Sequence, residues 1–339
     1  MLKKKIYVAY TGGTIGMKKS DQGFVPVNGH LTSAINALPE FHREEMPQFT
    51  INEYQPIIDS SNMTPSDWQR IADDIKHHYD DYDGFVVLHG TDTMAYTSSA
   101  LSFMFENLQK PVIVTGSQIP LSQLRSDGQV NVLNALYIAA NYPINEVGLF
   151  FNNRLYRGNR CIKAYADGFN AFDSPNMQPL LEAGINISVL AGEVASSNLS
   201  VQEPLKLNRI VPQPIGVVHL YPGISSELLK NVIRQPVKAL ILRSYGVGNA
   251  PQDEALLSCL ALAKRQGIIV VNCSQCIKGK VNMSGYATGN ALSEAGVISG
   301  LDMTLEATLT KLHYLLSQNY DYDKICEMMQ KNLRGELTH

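Results

Sequence analysis

Three short polar runs carry more reactive side chains than a turn requires: Thr11-Gly12-Gly13-Thr14, Asp59-Ser60-Ser61 and His89-Gly90-Thr91-Asp92-Thr93. A threonine hydroxyl can attack a carbonyl, but it is a weak nucleophile and needs a partner to take its proton. A lysine held in a dry pocket beside a hydroxyl can lose its proton and act as that partner. Lys163, in Arg157-Gly158-Asn159-Arg160-Cys161-Ile162-Lys163-Ala164, is a candidate, although by spacing alone it is an ordinary lysine. A carboxylate such as Asp92 can hold a cationic group through charge-assisted hydrogen bonds. Each run also has a plainer reading. Gly12-Gly13 suits a strand-to-helix turn, Thr91 or Asp92 can cap a helix, and a lone histidine such as His89 is more often structural than catalytic. The glycine run does not match G-x-G-x-x-G and lacks a P-loop lysine.

The elements around these runs give them a common location. Strands are expected at Ile6–Tyr10, 50–58, Gly84–Leu88, Val112–Thr115, Val147–Phe151, 216–220, 239–243 and 268–271. Helices are expected between them, near 65–79, 94–107, 129–141, 253–266 and 305–317. In Thr64-Pro65-Ser66-Asp67 the threonine caps, the proline suits the first helical position and the aspartate closes a capping box. Alternating strands and helices predict an α/β fold with mainly parallel strands. Each polar run follows an expected strand, and ligands of open α/β sheets bind beyond the carboxyl ends of strands. Convergence of three runs on one pocket is a stronger signal than any run alone.

The chain has 339 residues, enough for two domains. Residues 192–214 are rich in Ser, Pro, Asn and Gln and read as a linker between an N-terminal domain, 1–191, and a C-terminal one, 215–339. A net charge of −3 without a basic patch argues against a nucleic-acid partner. No apolar run is long enough for a membrane span. The apolar run after Lys3-Lys4-Lys5 breaks at Thr11 and is too short for a secretory signal, so a cytoplasmic location is expected. Five cysteines argue against a disulfide framework. Cys273 and Cys276 form a C-x-x-C without a second ligand pair, so they read as ordinary thiols, and no metal is expected.

Two of the runs extend into longer signatures. Val8-Ala9-Tyr10-Thr11-Gly12-Gly13-Thr14-Ile15-Gly16 and Gly84-Phe85-Val86-Val87-Leu88-His89-Gly90-Thr91-Asp92-Thr93-Met94 resemble the two signatures of the L-asparaginase family. Leu242-Arg243-Ser244-Tyr245-Gly246-Val247-Gly248-Asn249 resembles its cytoplasmic bacterial type I branch. The resemblance covers essentially the whole chain. It implies a larger N-terminal α/β domain, a smaller flavodoxin-like C-terminal one, and a homotetramer built as a dimer of dimers. It also implies hydrolysis of L-asparagine to L-aspartate and ammonia without a cofactor. Carried over by position, Thr14 is the nucleophile, and Thr91, Asp92 and Lys163 form the second catalytic cluster. Asp59, Ser60 and Ser61 form the substrate-binding turn with Thr91 and Asp92, and Asn249 reaches in from a neighbouring subunit. A second, regulatory asparagine pocket maps to Arg243 with Ser274, Gln275 and Cys276, and Ile162 replaces a threonine that relatives can carry there.

One departure concerns activation of Thr14. Phe24 stands where family members commonly carry a tyrosine, and a phenyl ring can neither accept a proton nor donate a hydrogen bond. Either Lys163 with Thr91 activates Thr14, or another hydroxyl such as Tyr10 serves, or turnover is reduced. Residues 17–26 read as a lid that excludes water on closing. Two other functions remain open to the sequence. One is a broader glutaminase-asparaginase, since one methylene discriminates only modestly. The other is a non-catalytic asparagine sensor.

Overall fold

The computed structural model describes residues 3–21, 23–190, 203–285 and 287–338. Its contacts divide the chain into two compact units, 1–208 and 209–339. In the first unit the described strands form an eight-stranded sheet. Its order is Ile187–Val189, Leu181–Ala183, Arg154–Arg157, Val147–Phe151, Val112–Thr115, Gly84–Leu88, Lys5–Tyr10 and Gln48–Glu53. The five strands from Val147–Phe151 to Gln48–Glu53 run parallel. The remaining three add on antiparallel at the other edge. In the second unit four described strands, Ile215–His219, Ala239–Ser244, Ile269–Ser274 and Val297–Ser299, are parallel in chain order.

The central strands are buried on both faces, and Gly84–Leu88 shows burial at all five positions. Such strands read as continuous apolar runs because helices cover both sides of a parallel sheet. The helix Pro65–His77 buries Trp68, Ile71, Ala72 and Ile75, the i, i+3, i+4, i+7 stripe of an amphipathic helix. Its start is held as the sequence predicts. The Asp67 carboxylate accepts the Thr64 backbone N–H at 2.8 Å and the Thr64 hydroxyl at 2.7 Å.

Three expectations change. The strand placed at 50–58 ends at Glu53. Pro56, shortly beyond it, has no N–H to offer a ladder. The helix placed at 94–107 ends at Met104, where Phe105–Glu106 turns extended and pairs with Lys206–Leu207. That pairing ties the end of the expected linker to the first unit, while residues 192–202 of that linker lie outside the described residues. The segment read as a lid contains a two-stranded hairpin, Met17–Ser20 with Gly23–Pro26. Phe24 lies on it opposite Lys19 and is about half exposed. Among the described residues no helix is long and apolar enough to cross a membrane.

Candidate active site

Register aligns the polar runs. Tyr10 pairs with Leu88, and Leu88 with Thr115, so the runs after these strands leave the sheet at one level. The segment before Ser60 leaves the sheet early but follows the first strand. Tyr54 N–H donates to the Tyr10 carbonyl and Ile58 N–H to the Thr11 carbonyl. Thr11 in turn donates its N–H and its hydroxyl to the Leu88 carbonyl, both at 3.0 Å.

The three runs meet through glycines. A methyl group on Gly13 would lie 2.4 Å from the Gly90 nitrogen, and one on Gly12 would lie 2.0 Å from the Ile58 carbonyl oxygen. Gly12 and Gly13 also have φ of 145° and 97°, which side-chain-bearing residues rarely adopt. A methyl group on Gly90 would lie 2.4 Å from the Ser60 hydroxyl. These contacts fix the turn that carries Thr14 against the loops that carry Ser60 and Thr91. Thr14 heads a 3-10 turn, Thr14–Gly16, and is half-buried.

Lys163 arrives from another direction, on the short strand Ile162–Lys163 paired antiparallel with Phe172–Asp173. Its Nζ donates to Thr91 Oγ1 at 2.9 Å and to Asp92 Oδ1 at 2.6 Å. Asp92 is well exposed, whereas Thr91 is buried. Asp59 accepts the Ser61 N–H at 3.0 Å and shapes a turn in which Ser60 is buried and Ser61 exposed. Thr93 ties that turn to the start of the helix Met94–Met104, its hydroxyl donating to the Ser60 carbonyl at 2.7 Å.

His89 takes a structural place. Its Nδ1–H donates to the Gly90 carbonyl at 2.7 Å, and the Thr97 hydroxyl donates to its Nε2 at 2.8 Å. Burial holds its pKa down at about 4, so the ring is neutral. It holds the Gly90 carbonyl towards itself, and in a trans peptide the following Thr91 N–H then points the other way. Tyr10 is fully buried under the turn. A methyl group on Gly16 would lie 2.1 Å from its hydroxyl, which has no hydrogen-bond partner among the described residues. Burial raises its pKa well above the usual tyrosine value, so it stands as a neutral phenol rather than a base.

Sequence reasoning missed Gln118. Its side-chain oxygen accepts the Thr91 hydroxyl at 3.1 Å, and its side-chain nitrogen donates to the Ala166 and Gly168 carbonyls at 3.3 and 3.0 Å. The signal was available, since Gly116-Ser117-Gln118 is a further polar run directly after a strand, Val112–Thr115.

The residues suggested for a regulatory pocket lie mostly in the second unit. Arg243 is near the end of the strand Ala239–Ser244, and its Nε is buried without a hydrogen-bond partner among the described residues. Gln275 is engaged, donating to the Leu220 and Arg243 carbonyls at 2.6 and 2.9 Å. Ser274 donates to the Gly246 carbonyl and accepts the Cys276 N–H. Glu306 is partly exposed, but its Oε2 is buried, and loss of solvent around the carboxyl raises its pKa to about 7 against the opposing pull of its own backbone N–H and of the Arg243 charge. Asn249 forms an isolated bridge with Tyr245 in the same unit, whereas Ile162 belongs to the first. Cys273 and Cys276 are free thiols, one buried and one exposed. Among the described residues no group of three or more His, Cys, Asp or Glu is placed to hold a metal ion.

Comparison with known proteins bears on the family and the fold. Residues 5–195 match the family model described as asparaginase, N-terminal, and residues 214–329 match the glutaminase/asparaginase C-terminal domain. The chain is 69% identical over 338 residues to L-asparaginase 1 of Escherichia coli strain K12, covering 100% of this chain and 99% of that protein. The crystal structure of L-asparaginase I from Vibrio cholerae is similar with a TM-score of 0.90 and 64% identity, over 99% of this chain and 100% of that one. The thermostable L-asparaginase from Thermococcus kodakarensis gives 0.88 and 32%, over 99% of both chains.

Proposed function

The chain belongs to the L-asparaginase family, in its type I bacterial branch, and from that premise we propose that it hydrolyses L-asparagine through a β-aspartyl ester on Thr14. The observation that carries the reading is the bridge from Lys163 Nζ to Thr91 Oγ1 and Asp92 Oδ1, on a loop packed against Gly13. The Thr14 hydroxyl attacks the side-chain amide carbon. The Thr91–Lys163 pair handles the proton, passing it to the departing ammonia and later activating the water that cleaves the ester. The Thr91 N–H, turned away from His89, is a donor for the oxyanion. The second oxygen of Asp92 takes the substrate α-ammonium, and Ser60 with the Asp59-Ser60-Ser61 turn takes its α-carboxylate.

Phe24 removes the hydroxyl that relatives commonly place on this hairpin, and Tyr10, a buried neutral phenol, is unsuited to accept a proton. Activation therefore falls to Lys163 with Thr91. The test is ammonia release from asparagine by Thr14→Ala and Lys163→Met beside the parent enzyme, with mass spectrometry for the aspartyl adduct. Near-parent turnover in Thr14→Ala defeats the reading.

The buried Nε of Arg243, without a hydrogen-bond partner among the described residues, supports a second site, a regulatory asparagine pocket with Ser274, Gln275 and Cys276. A sigmoidal rate curve that becomes hyperbolic in Arg243→Ala is the expected result. A hyperbola in the parent leaves Arg243 a structural residue. Assembly as a homotetramer, with Asn249 serving a neighbouring copy, belongs to the same proposal, and sedimentation measures it.

A further inference from the structure

The geometry points to Gln118 as a positioning residue that sets the direction of the proton on Thr91. This rests on the reading of Thr91 and Lys163 as the proton-transfer pair. An amide can present either its oxygen or its NH₂ to a neighbour, and here the choice is forced. The nitrogen faces two carbonyl oxygens, Ala166 at 3.3 Å and Gly168 at 3.0 Å, which only accept. The oxygen is therefore the atom that faces Thr91. The Gln118 backbone is held too, its N–H lying 3.0–3.1 Å from the two oxygens of Asp127.

A fixed acceptor on one side of a hydroxyl decides what its other side can do. Thr91 has one hydrogen. While that hydrogen is given to Gln118, the lone pairs of Oγ1 face Lys163 Nζ, which then acts as donor at 2.9 Å. In this arrangement Nζ offers a hydrogen and Oγ1 receives it. Once Nζ has lost a proton, the Thr91 hydrogen swings from Gln118 Oε1 to the nitrogen lone pair. No bond other than the hydrogen bond changes in that swing. Gln118 thus competes with Lys163 for the Thr91 hydrogen. The charged groups facing this cluster are Asp92 on Lys163, Asp127 on the Gln118 backbone, and Arg125 with Asp167. The last two line a hollow of about 380 Å³ with Gln118.

Gln118→Met removes the acceptor, and Gln118→Glu keeps an acceptor and adds negative charge. Both lose the two amide hydrogens that hold the 166–168 loop, so a purely structural role predicts equal losses and an unmoved pH profile. The experiment measures kcat and KM for asparagine from pH 5 to 10 in the parent and both variants. The acid limb of kcat is expected to move up by about one pH unit in Gln118→Glu and down by about half a unit in Gln118→Met, with KM within about threefold. Profiles that coincide with the parent, or that move the same way in both variants, overturn the inference. If Gln118→Met does not fold, the direction in Gln118→Glu decides alone. Thr91→Val and Lys163→Met, run alongside, separate the two levels. Near-parent kcat in either removes the proton-transfer pair itself, whereas loss in both with unmoved Gln118 profiles removes only the role of Gln118.

Discussion

Lys163 and Lys311 are both surrounded by oxygen atoms, yet their surroundings differ in kind. Lys311 lies in the second unit, with its side chain fully buried. Its Nζ donates to the Met329 carbonyl at 3.0 Å, the Lys331 carbonyl at 2.6 Å and Glu336 Oε1 at 2.5 Å. Glu336 is itself held by the N–H groups of Leu333 and Arg334. An ammonium has three hydrogens, and here each has an acceptor, two carbonyls and a carboxylate, that carries no hydrogen of its own to donate. The result is a clip on the C-terminal segment. Lys163 keeps about a fifth of its side chain exposed and has one partner of a different type, the Thr91 hydroxyl, which both donates and accepts. Burial therefore does not mark the lysine proposed for proton transfer. A reversible partner does.

The comparison can be broken at either lysine. Lys163→Met is expected to lower kcat about a thousandfold or more while thermal unfolding shifts by only a few degrees. Steady-state kinetics with calorimetry checks both, and a stability loss that accounts for the activity loss would erase the distinction. Lys311→Met is expected to do the reverse. It strands a buried carboxylate and costs about 3–5 kcal/mol in denaturant unfolding, with kcat of the folded enzyme near the parent value. Adding Glu336→Gln should return part of that loss.

Acidification sharpens the contrast between fixed and labile protons. His89 is neutral in the folded state, with a pKa near 4 against 6.5 unfolded. Its contribution is complete above pH 6.5 and is lost as pH falls towards 4, by about 3 kcal/mol at most. Glu306 acts with the opposite sign, since its raised value favours the folded state as pH falls from 7 towards 4.5. Melting curves from pH 7.5 to 4 should therefore show a loss that steepens below 6.5 and is larger in Glu306→Gln. Last, Thr64→Ala is expected to cost about 1 kcal/mol through its helix cap and to leave kcat unchanged. It serves as the control for a stability change remote from both lysines.

The site was legible where chemistry is concentrated in sequence. Thr14, Ser60, Thr91 and Asp92 stand in short runs beyond strands, and apolar runs such as Phe85–Leu88 announce the strands themselves. Lys163 had no local signal, because its partners are reached only through the pairing of Ile162–Lys163 with Phe172–Asp173. Gln118 was missed although its polar run follows the strand Val112–Thr115 directly. An amide carries no charge and forms no motif, and its role arises from three contacts with distant segments. The end of the strand at Glu53 turned on Pro56, whose missing donor outweighs the β-propensity of Ile57 and Ile58. Asp59 and Ser60 nevertheless reach the site because Ile58 N–H finds the Thr11 carbonyl.

The level alignment of Tyr10, Leu88 and Thr115 has a consequence for how an active molecule comes into being. Parallel neighbours must be joined by crossovers, so Ile6 pairs with Gly84 and Phe85 with Val112 across long stretches of chain. None of the functional groups can assemble while only local helices and hairpins exist. During synthesis, Thr14 emerges early and waits for Lys163. In refolding, compaction and helix formation precede the slow long-range pairing, and competence for ammonia release comes last.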